Sequence, residues 1–364
     1  MTVDQLLPIA VAVLGLLMAS TLVVMVVAKT RRGRGLAATT SLLASYRNPL
    51  IVMASGEDED GKAKEMLYAI PAPAWARLRP TLLGLLPKVR GSSVDSLREL
   101  IRFHGEIDTA KGMLTSRSAV HRAHAAYLLG LVRDSENAPL LVPLLADPEA
   151  DVRLVAARAL GAIGESRAAS GVLEAVRTHD GQIGLPAWVA AEALLAMGVE
   201  ITPALRDGLT SSDPFVRNVC VMVAGHGTFA SVVPQLRILL ATDDEEDVRI
   251  GATMALGQIG RADDVATLAW LTHASEATAL RRTAVAALGD LGRREGVDTL
   301  VALLDDGDLR LAQLAADSMV RIGSEGITRL QEAADGESPG ARVAGAALDL
   351  AGLRGQLASS AAGV

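Results

Sequence analysis

The sequence predicts an all-α protein, an α-solenoid of about eight helix pairs preceded by a single transmembrane helix. Three observations indicate this fold. From residue 118 onward the chain repeats itself with a period near 31 residues, and an apolar run over residues 6–28 precedes a basic cluster. Only nine of the 364 residues are aromatic, three each of Phe, Tyr and Trp. A core built of Ala, Leu and Val is typical of thin layers of closely packed helices.

The first 30 residues are predicted to be a membrane anchor. A helix of about twenty apolar residues, rising about 1.5 Å per residue, crosses the hydrocarbon core of a bilayer, and residues 6–28 supply that length. By the positive-inside rule, a basic cluster after the run places the N-terminus outside the cell. We therefore expect a single-pass protein of the cell membrane with a cytoplasmic repeat domain. Only Asp4 precedes the run, and four basic residues follow it: Lys29, Arg31, Arg32 and Arg34.

A cleaved secretory signal is the alternative interpretation of the same segment. Val26 and Ala28 are small residues that could precede a cleavage site. A signal peptide carries its positive charge before a shorter apolar segment, whereas here the charge follows the segment. The order of charge and apolar run therefore favours an uncleaved anchor.

A cytoplasmic linker over residues 31–72 and an N-terminal helical cap over residues 73–117 are expected next. The linker contains an acidic stretch at 55–61 that is typical of an exposed loop. Helical periodicity over residues 75–87 and 93–103 predicts the cap. Stacked repeats need such a cap because their terminal unit would otherwise expose an apolar face.

The repeats occupy residues 118–354, and a flexible tail of small residues, 355–364, is expected after them. An arginine, or the residue that replaces it, recurs at intervals of 30 to 34 residues, and we call the helix around it the template helix. Small residues lie three and four positions after it, and a larger apolar residue lies seven positions after it. These offsets share one helix face, which predicts a stacked solenoid. The recurring positions are Arg122, Arg153, Ala187, Arg217, Arg249, Arg281, Ala312 and Val343.

Each template helix is followed by a second apolar segment, so each unit is predicted to be a helix pair. The glycine-containing stretches 161–164 and 257–260 are interpreted as turns between the two helices. Asp-Pro pairs at 147–148 and 213–214 are typical of a helix start, with an N-cap residue followed by a proline. Two helices per unit, stacked side by side, form an α-solenoid.

The run from Leu144 to Gly161 resembles a HEAT-like repeat of the phycobilisome-lyase type. It contains Asp147-Pro148, Val152-Arg153, Ala156-Ala157 and Leu160-Gly161, and similar copies lie at 244–260 and 277–292. The resemblance extends over residues 118–354 and implies the fold. It implies little about function, because such repeats serve many unrelated proteins.

Two sets of polar residues on the template helices are candidates for a role. Arg153 and Arg249 each lie two residues after an aspartate, Asp151 and Asp247, so an arginine could pair with the aspartate of the neighbouring unit. This predicts a structural arginine ladder of Arg122, Arg153, Arg217, Arg249 and Arg281. In the HEAT arrangement the template helices should line a groove, and the candidate partner-binding residues there are Arg158, Glu192, Asn218, Gln313 and Asp317.

No pattern in the sequence indicates catalysis, a metal or a cofactor, and we expect none. His121 and His124 could share a helix face, but no Cys, Asp or Glu at a suitable spacing completes a metal site. Cys220 is the only cysteine and occupies a position that is Ala in most units, which favours packing over reactivity. The acidic run 243–247 lacks the glycine turn and distal Glu of a calcium loop.

We therefore expect a membrane-anchored, cytoplasmic scaffold that binds another protein and is not an enzyme. Anchored HEAT-like proteins of this kind are similar to bacterial accessory proteins that accompany membrane glycosyltransferases, which implies an integral-membrane partner. A bilin lyase-like enzyme is the first alternative, and the scarcity of aromatic residues and the anchor weigh against it. A HEAT-like DNA glycosylase is the second, but the net charge of −7 makes nucleic acid an unexpected partner.

Overall fold

The structure is a computed structural model, and every regular element in the part of the chain that it describes is helical, which confirms the all-α prediction. The chain divides into two compact units, one up to Ala110 and one from Lys111 onward. The predicted anchor over residues 1–30, with its apolar run, lies outside the described residues. The described residues are 44–53, 55, 57–58, 60–89, 91–177 and 184–362.

The first unit contains five described helices, and two of them lie in the predicted linker. Leu67 is fully buried and Met53 is 7% exposed, so apolar side chains fold this stretch against the unit. Asp58 caps the second helix, because its carboxylate accepts hydrogen bonds from the backbone N–H groups of Ala63 and Lys64 at 3.0 and 2.8 Å. The helices are α1 (44–53), α2 (Lys62–Tyr68), α3 (Ala72–Leu85), α4 (Ser92–Phe103) and α5 (Glu106–Met113), the last extending past Ala110.

A buried carboxylate in the first unit is fully paired. The indole N–H of Trp75 donates a hydrogen bond to Oε1 of Glu106 at 2.7 Å, and Nη1 of Arg79 lies 3.2 Å from Oε2. Trp75 also stacks on the ring of His104, with 3.9 Å between the ring centroids. Because both carboxylate oxygens have donors, Glu106 can remain buried.

The second unit is a stack of template helices, each packed against the next. The described residues contain eight of them, which confirms the predicted repeat. Their order along the chain is their order in the stack, as the nearest-neighbour packing of a solenoid requires. They are α6 (Ala119–Leu131), α7 (Ala150–Ile163), α9 (Ala187–Met197), α11 (Pro214–His226), α13 (Glu246–Ile259), α15 (Thr278–Leu291), α17 (Leu309–Ile322) and α19 (Pro339–Ala362).

The second elements of the units are shorter than the template helices. In the first repeat this element consists of 3-10 turns, Ala138–Leu140 and Val142–Ala146, because Pro139 and Pro143 lack the N–H groups of an α-helix. Within the described residues no second helix follows α19, so the stack has seven pairs and a terminal helix where about eight pairs were predicted. The remaining second helices are α8 (Ala169–Glu174), α10 (Thr202–Leu209), α12 (Val233–Thr242), α14 (Val265–Trp270), α16 (Val297–Ala302) and α18 (Ser324–Ala334).

Within the described part of the chain, no single helix has both the length and the apolar composition needed to cross a membrane. The segments Ala187–Met197 and Val199–Leu209 satisfy these criteria only together, and they are bent by 114° at the break between them.

Small residues are buried at the predicted positions of the template helices from α6 to α17. In α7 these are Ala156 and Ala157, and in α15 they are Ala284 and Val285, all with no exposed surface. The larger residue seven positions after the arginine, such as Leu160, is fully buried as well. The predicted apolar stripe is therefore the core of the stack.

Two glycines predicted to form turns lie inside template helices, and this part of the prediction is wrong. Gly161 and Gly257 are helical, and the turns begin at Gly164 and Gly260, whose φ values of 83° and 78° suit glycine. A Cβ on Gly257 would lie 2.8 Å from Cα of Ala287 in α15, and one on Gly161 would lie equally close to Cα of Ala193 in α9.

These internal glycines allow backbone contact between successive helices. They lie eight positions after the arginine and recur as Gly130, Gly225 and Gly289, each against a small residue of the next template helix. In α9 the equivalent residue is Leu195, and the equivalent small residue of α11 is Val223. The glycine contact is therefore missing from the α9–α11 junction, and also from the terminal α17–α19 junction, where Val320 stands at the equivalent position.

The last template helix is rotated relative to the prediction. Ala346 and Leu350 were expected in the core but are exposed, Leu350 by 55%. The buried residues are Ala341, Ala344 and Ala347. Because α19 packs against both α17 and α18, it presents its smallest side chains to them. The tail predicted over 355–364 is helical as far as Ala362, in keeping with the high helix propensity of its alanines.

Candidate partner-binding face

Four of the five ladder arginines bind carboxylates that lie just before the next template helix. Arg122 forms two hydrogen bonds of 2.7 Å with the two carboxylate oxygens of Asp147. Arg217 binds Asp243 in the same way, at 2.7 and 2.8 Å. Such paired bonds match the planar guanidinium to the carboxylate and fix its orientation.

Two further arginines make single carboxylate contacts across units, and one bonds to backbone. Arg249 lies 3.1 Å from Glu276, and Arg281 lies 2.5 Å from Asp306. Arg153 is buried and donates hydrogen bonds from Nη1 to the carbonyl oxygens of Asp147 and Pro148, at 2.7 and 3.1 Å.

The acceptors differ from those the sequence suggested. Asp151 and Asp247 were expected to pair with the arginines, but both are exposed. The acceptors Asp147 and Asp243 lie four residues earlier. Those two stand in the loop before the helix, next to the preceding unit, whereas Asp151 and Asp247 lie in the first turn on the outer face.

The pKa values of the acceptors reflect these contacts. Burial acts most strongly and would raise the pKa of Asp147 and Asp243. The arginine hydrogen bonds, a backbone hydrogen bond and the arginine charges together outweigh burial and hold each pKa below the usual value for aspartate. Each carboxylate also accepts a backbone N–H two residues on, from Glu149 or Glu245 at 3.0 Å. These groups stay charged at neutral pH.

Two of the five candidate partner-binding residues contact each other. Nε of Arg158 in α7 lies 3.2 Å from Oε2 of Glu192 in α9. The same guanidinium lies 5.0 Å above the ring centroid of Trp188, close enough for a cation–π interaction. All three side chains remain exposed, so this group links two template helices and still faces outward.

The other three candidates are exposed and separate from that group. Asn218 lies in α11, and its side-chain oxygen is near Gly251 of α13. Gln313 and Asp317 lie one turn apart on α17. The five residues lie on four template helices, α7, α9, α11 and α17, and the structure does not gather them into one cluster.

These residues belong to a continuous surface that we call the template face. It consists of the side chains two positions before, one after and five after the arginine position, which share one side of each helix. Sequence reasoning selected only its polar members. The same three offsets also identify apolar residues in the sequence. Five of these residues have 44–74% of their surface exposed: Val120, Tyr127, Trp188, Phe215 and Met254.

The residues considered for other chemistry have ordinary structural environments. Cys220 is buried, and desolvation raises the pKa of its thiol to about 12, so it is neutral at physiological pH. His121 Nδ1 lies 3.3 Å from the hydroxyl of Ser116. In the part of the chain that the structure describes, no three His, Cys, Asp or Glu side chains come together as metal ligands.

Sequence comparison identifies the repeat. The family model described as HEAT repeats matches residues 108–195, 202–278 and 265–351, which together cover more than half of the chain. No curated protein sequence matches the chain.

Several solved structures are similar to the chain at low identity. An engineered protein is 21% identical, with a TM-score of 0.36, and the match covers 74% of this chain and 87% of that one. The CpcE–CpcF complex of phycocyanin lyase from Nostoc sp. PCC7120 is 20% identical, with a TM-score of 0.32 and coverages of 62% and 92%. A Kap121p mutant is 13% identical, with a TM-score of 0.49 and coverages of 79% and 35%. Likeness at this level carries no information on activity.

Proposed function

We propose, on the premise that the chain belongs to the HEAT repeat family, that it is a scaffold held at the cytoplasmic face of the cell membrane, where it binds another protein. The single observation that carries the proposal is the template face. Five neighbouring template helices, α6 to α13, present exposed aromatic, apolar and charged side chains side by side. A broad surface of this kind suits contact with a folded partner.

The absence of a compact reactive site among the described residues is consistent with binding but is not the basis of the proposal. The positive support is compositional. Trp, Tyr and Met are enriched at the centres of protein interfaces, and this chain, which has only nine aromatic residues, places Tyr127, Trp188 and Phe215 on the template face.

Membrane attachment through residues 6–28 is the second part of the proposal. Its support is the length of the apolar run and the position of the basic cluster after it. A tether confines the repeats to the membrane surface and raises their effective concentration for a membrane partner. We therefore propose an integral-membrane enzyme or complex, such as a glycosyltransferase, as the partner.

The attachment is tested with a reporter fused after Val364. External protease added to intact cells should leave the reporter intact, and the protein should sediment with membranes and resist extraction by alkaline carbonate. A reporter that is cut in intact cells contradicts the proposed topology. Release of the protein by carbonate contradicts a spanning anchor.

The partner is tested by purification in mild detergent with two matched variants. The double variant Arg158→Ala/Glu192→Ala removes the exposed pair on the template face. The control, Arg294→Ala/Glu295→Ala, removes an exposed pair that lies outside the template helices. A membrane protein identified by mass spectrometry should co-purify with the wild type and the control and be depleted with the first variant. Equal recovery with both variants would place the partner elsewhere.

A further inference from the structure

The template face changes character along the stack. From α6 to α13 its large apolar members are exposed, and Leu154, Met222 and Ile250 between them are partly exposed. On α15 and α17 the same offsets hold only small or polar residues, such as Arg282, Gln313 and Asp317. We call the exposed apolar residues of the first part, Val120, Tyr127, Trp188, Phe215 and Met254, the apolar strip.

The strip has a defined length. It crosses five neighbouring template helices, and neighbouring helices lie about 8–10 Å apart. Four such intervals span about 36 Å, which corresponds to about 24 residues of α-helix. The surface is therefore long enough to seat one helical segment of a partner along its whole length.

Negative charge lies among the apolar residues of the strip, because two aspartates share the helix position that Val120 and Phe215 occupy in α6 and α11. Asp151 and Asp247 occupy the position two before the arginine in α7 and α13, and Asp244 and Glu246 lie beside Asp247. All four are exposed. Within the described residues, no basic side chain forms an ion pair with any of them, whereas the buried acceptors Asp147 and Asp243 are fully paired.

We infer that the apolar strip binds an amphipathic segment of the partner whose apolar side chains are flanked by Lys and Arg. This inference rests on the proposed function and specifies the partner's chemistry. The apolar side chains of such a segment would cover Tyr127, Trp188 and Phe215. Its basic side chains would meet the unpaired carboxylates at Asp151 and Asp247, where charge complementarity both steers association and excludes acidic segments.

The experiment uses three labelled synthetic peptides of about 24 residues, the length that spans the strip as a helix. The first has Leu on one helical face and Lys on its flanks. The second replaces every Lys with Glu, and the third has the composition of the first in an order that destroys the apolar face. Fluorescence anisotropy is measured with the full chain in nanodiscs of neutral lipid, with empty nanodiscs as the blank.

The basic amphipathic peptide should bind at least about tenfold more tightly than the acidic peptide and the scrambled peptide, a ratio equivalent to about 1.4 kcal/mol. Its affinity should fall as salt concentration rises, because the flanking charges are exposed. Equal binding of the basic and acidic peptides would overturn the inferred chemistry. Equal binding of the ordered and scrambled peptides would overturn the role of the apolar strip.

Matched variants locate the binding. Trp188→Ala should lower the affinity for the basic peptide about tenfold. Trp270→Ala, which removes an equally exposed indole from α14, should leave that affinity unchanged. Asp151→Lys/Asp247→Lys should lower the affinity for the basic peptide by a similar factor. The control Asp263→Lys/Glu295→Lys makes the same change in net charge at exposed positions outside the template helices. Equal losses with variant and control would overturn the assignment.

Two other results separate this inference from the proposed function. Self-association of the wild-type chain that Trp188→Ala abolishes, seen by mass photometry, would assign the strip to a second copy and overturn the inference. If the peptides bind as inferred but no membrane protein co-purifies from cells, the proposed function fails and the chemistry of the strip stands. If a membrane protein co-purifies and the peptides fail, only the inference is overturned.

Discussion

Arg217 donates two hydrogen bonds, of 2.7 and 2.8 Å, to the two carboxylate oxygens of Asp243, a residue that belongs to the next unit of the stack. The side chain of Asp243 is 3% exposed and that of Arg217 is 13% exposed. Nη1 of Arg217 also donates to the carbonyl oxygen of Ser211, at 2.9 Å. One guanidinium thus joins the loops at the starts of two successive template helices, and its removal should destabilise the packing of both units.

Asp243→Ala should destabilise the protein by about 3–5 kcal/mol, because it leaves the charge of Arg217 largely buried without its partner. Urea unfolding followed by circular dichroism measures the effect. The control is Asp298→Ala, which removes an 83% exposed carboxylate paired with Arg329 and should cost about 1 kcal/mol or less. Similar losses in the two variants would mean that the buried pair has no special weight.

The same pair predicts a dependence on pH. The folded-state pKa of Asp243 is lowered by Arg217, whereas an unfolded aspartate has a pKa of about 3.9. Its contribution to stability is therefore fully present above pH 4 and is lost as pH falls through the lowered folded value. The gap in unfolding free energy between wild type and Asp243→Asn should be constant from pH 7 to pH 5 and should shrink below pH 4. A gap that widens in acid would contradict the direction of the shift.

Gly257→Ala should destabilise the stack although alanine favours helices. The new Cβ would lie 2.8 Å from Cα of Ala287, so the two helix backbones must move apart. Overpacking costs about 1–3 kcal/mol and helix propensity returns about 1 kcal/mol, so we expect a net loss of up to about 2 kcal/mol. The control is Gly84→Ala in α3, where the added Cβ would have no neighbour within 4 Å beyond the adjacent backbone of its own helix, and it should stabilise the protein. Thermal unfolding of both variants decides whether contact or propensity dominates.

The rotation of α19 predicts opposite results at two nearby alanines. Ala344 is fully buried, and Ala344→Leu should cost about 1–3 kcal/mol by overpacking. Ala346 is exposed, and Ala346→Leu should change stability by about 0.5 kcal/mol or less. Protection of α19 in hydrogen exchange provides the measurement. A larger loss with Ala346→Leu than with Ala344→Leu would support the repeat register that the sequence predicted.

Cys220 should be unreactive in the folded protein. Because burial raises the pKa of its thiol to about 12, almost no thiolate exists between pH 7 and pH 9. Labelling with a disulfide reagent should therefore be slow at both pH values and become fast in urea that unfolds the chain. Rapid labelling of the folded protein that accelerates between pH 7 and pH 9 would show an accessible thiol of ordinary pKa.

The repeat and its buried stripe could be predicted because period and residue size are both visible in the sequence. Ala156, Ala284 and Leu160 are buried where their offsets placed them. The different roles of Gly161, which lies in a helix contact, and Gly164, which begins the turn, could not be predicted in this way, because a glycine suits both positions. The distinction depends on what lies opposite, here Ala193 of the next unit.

The candidate site was predictable only in part. The offsets correctly indicated exposure for Arg158, Glu192, Asn218, Gln313 and Asp317, while their roles in binding remain predictions. Restricting the choice to polar residues left out Trp188 and Phe215, which share the same face. The acceptor Asp243 was also missed, because proximity along the chain pointed to Asp247, whereas the geometry of the loop decides which carboxylate meets Arg217.

The junction between α9 and α11, where Leu195 stands in place of the recurring glycine, has a consequence for how the array comes apart. In a linear array whose units interact only with their neighbours, unfolding proceeds in blocks divided at the weakest coupling. Leu195 and Val223 are bulkier than glycine and alanine, so the backbones of α9 and α11 cannot approach as closely as the backbones at the junctions that contain the glycine. Loss of structure should therefore halt or start there, so that the segment ending with α9 and the segment beginning with α11 melt as distinct cooperative blocks.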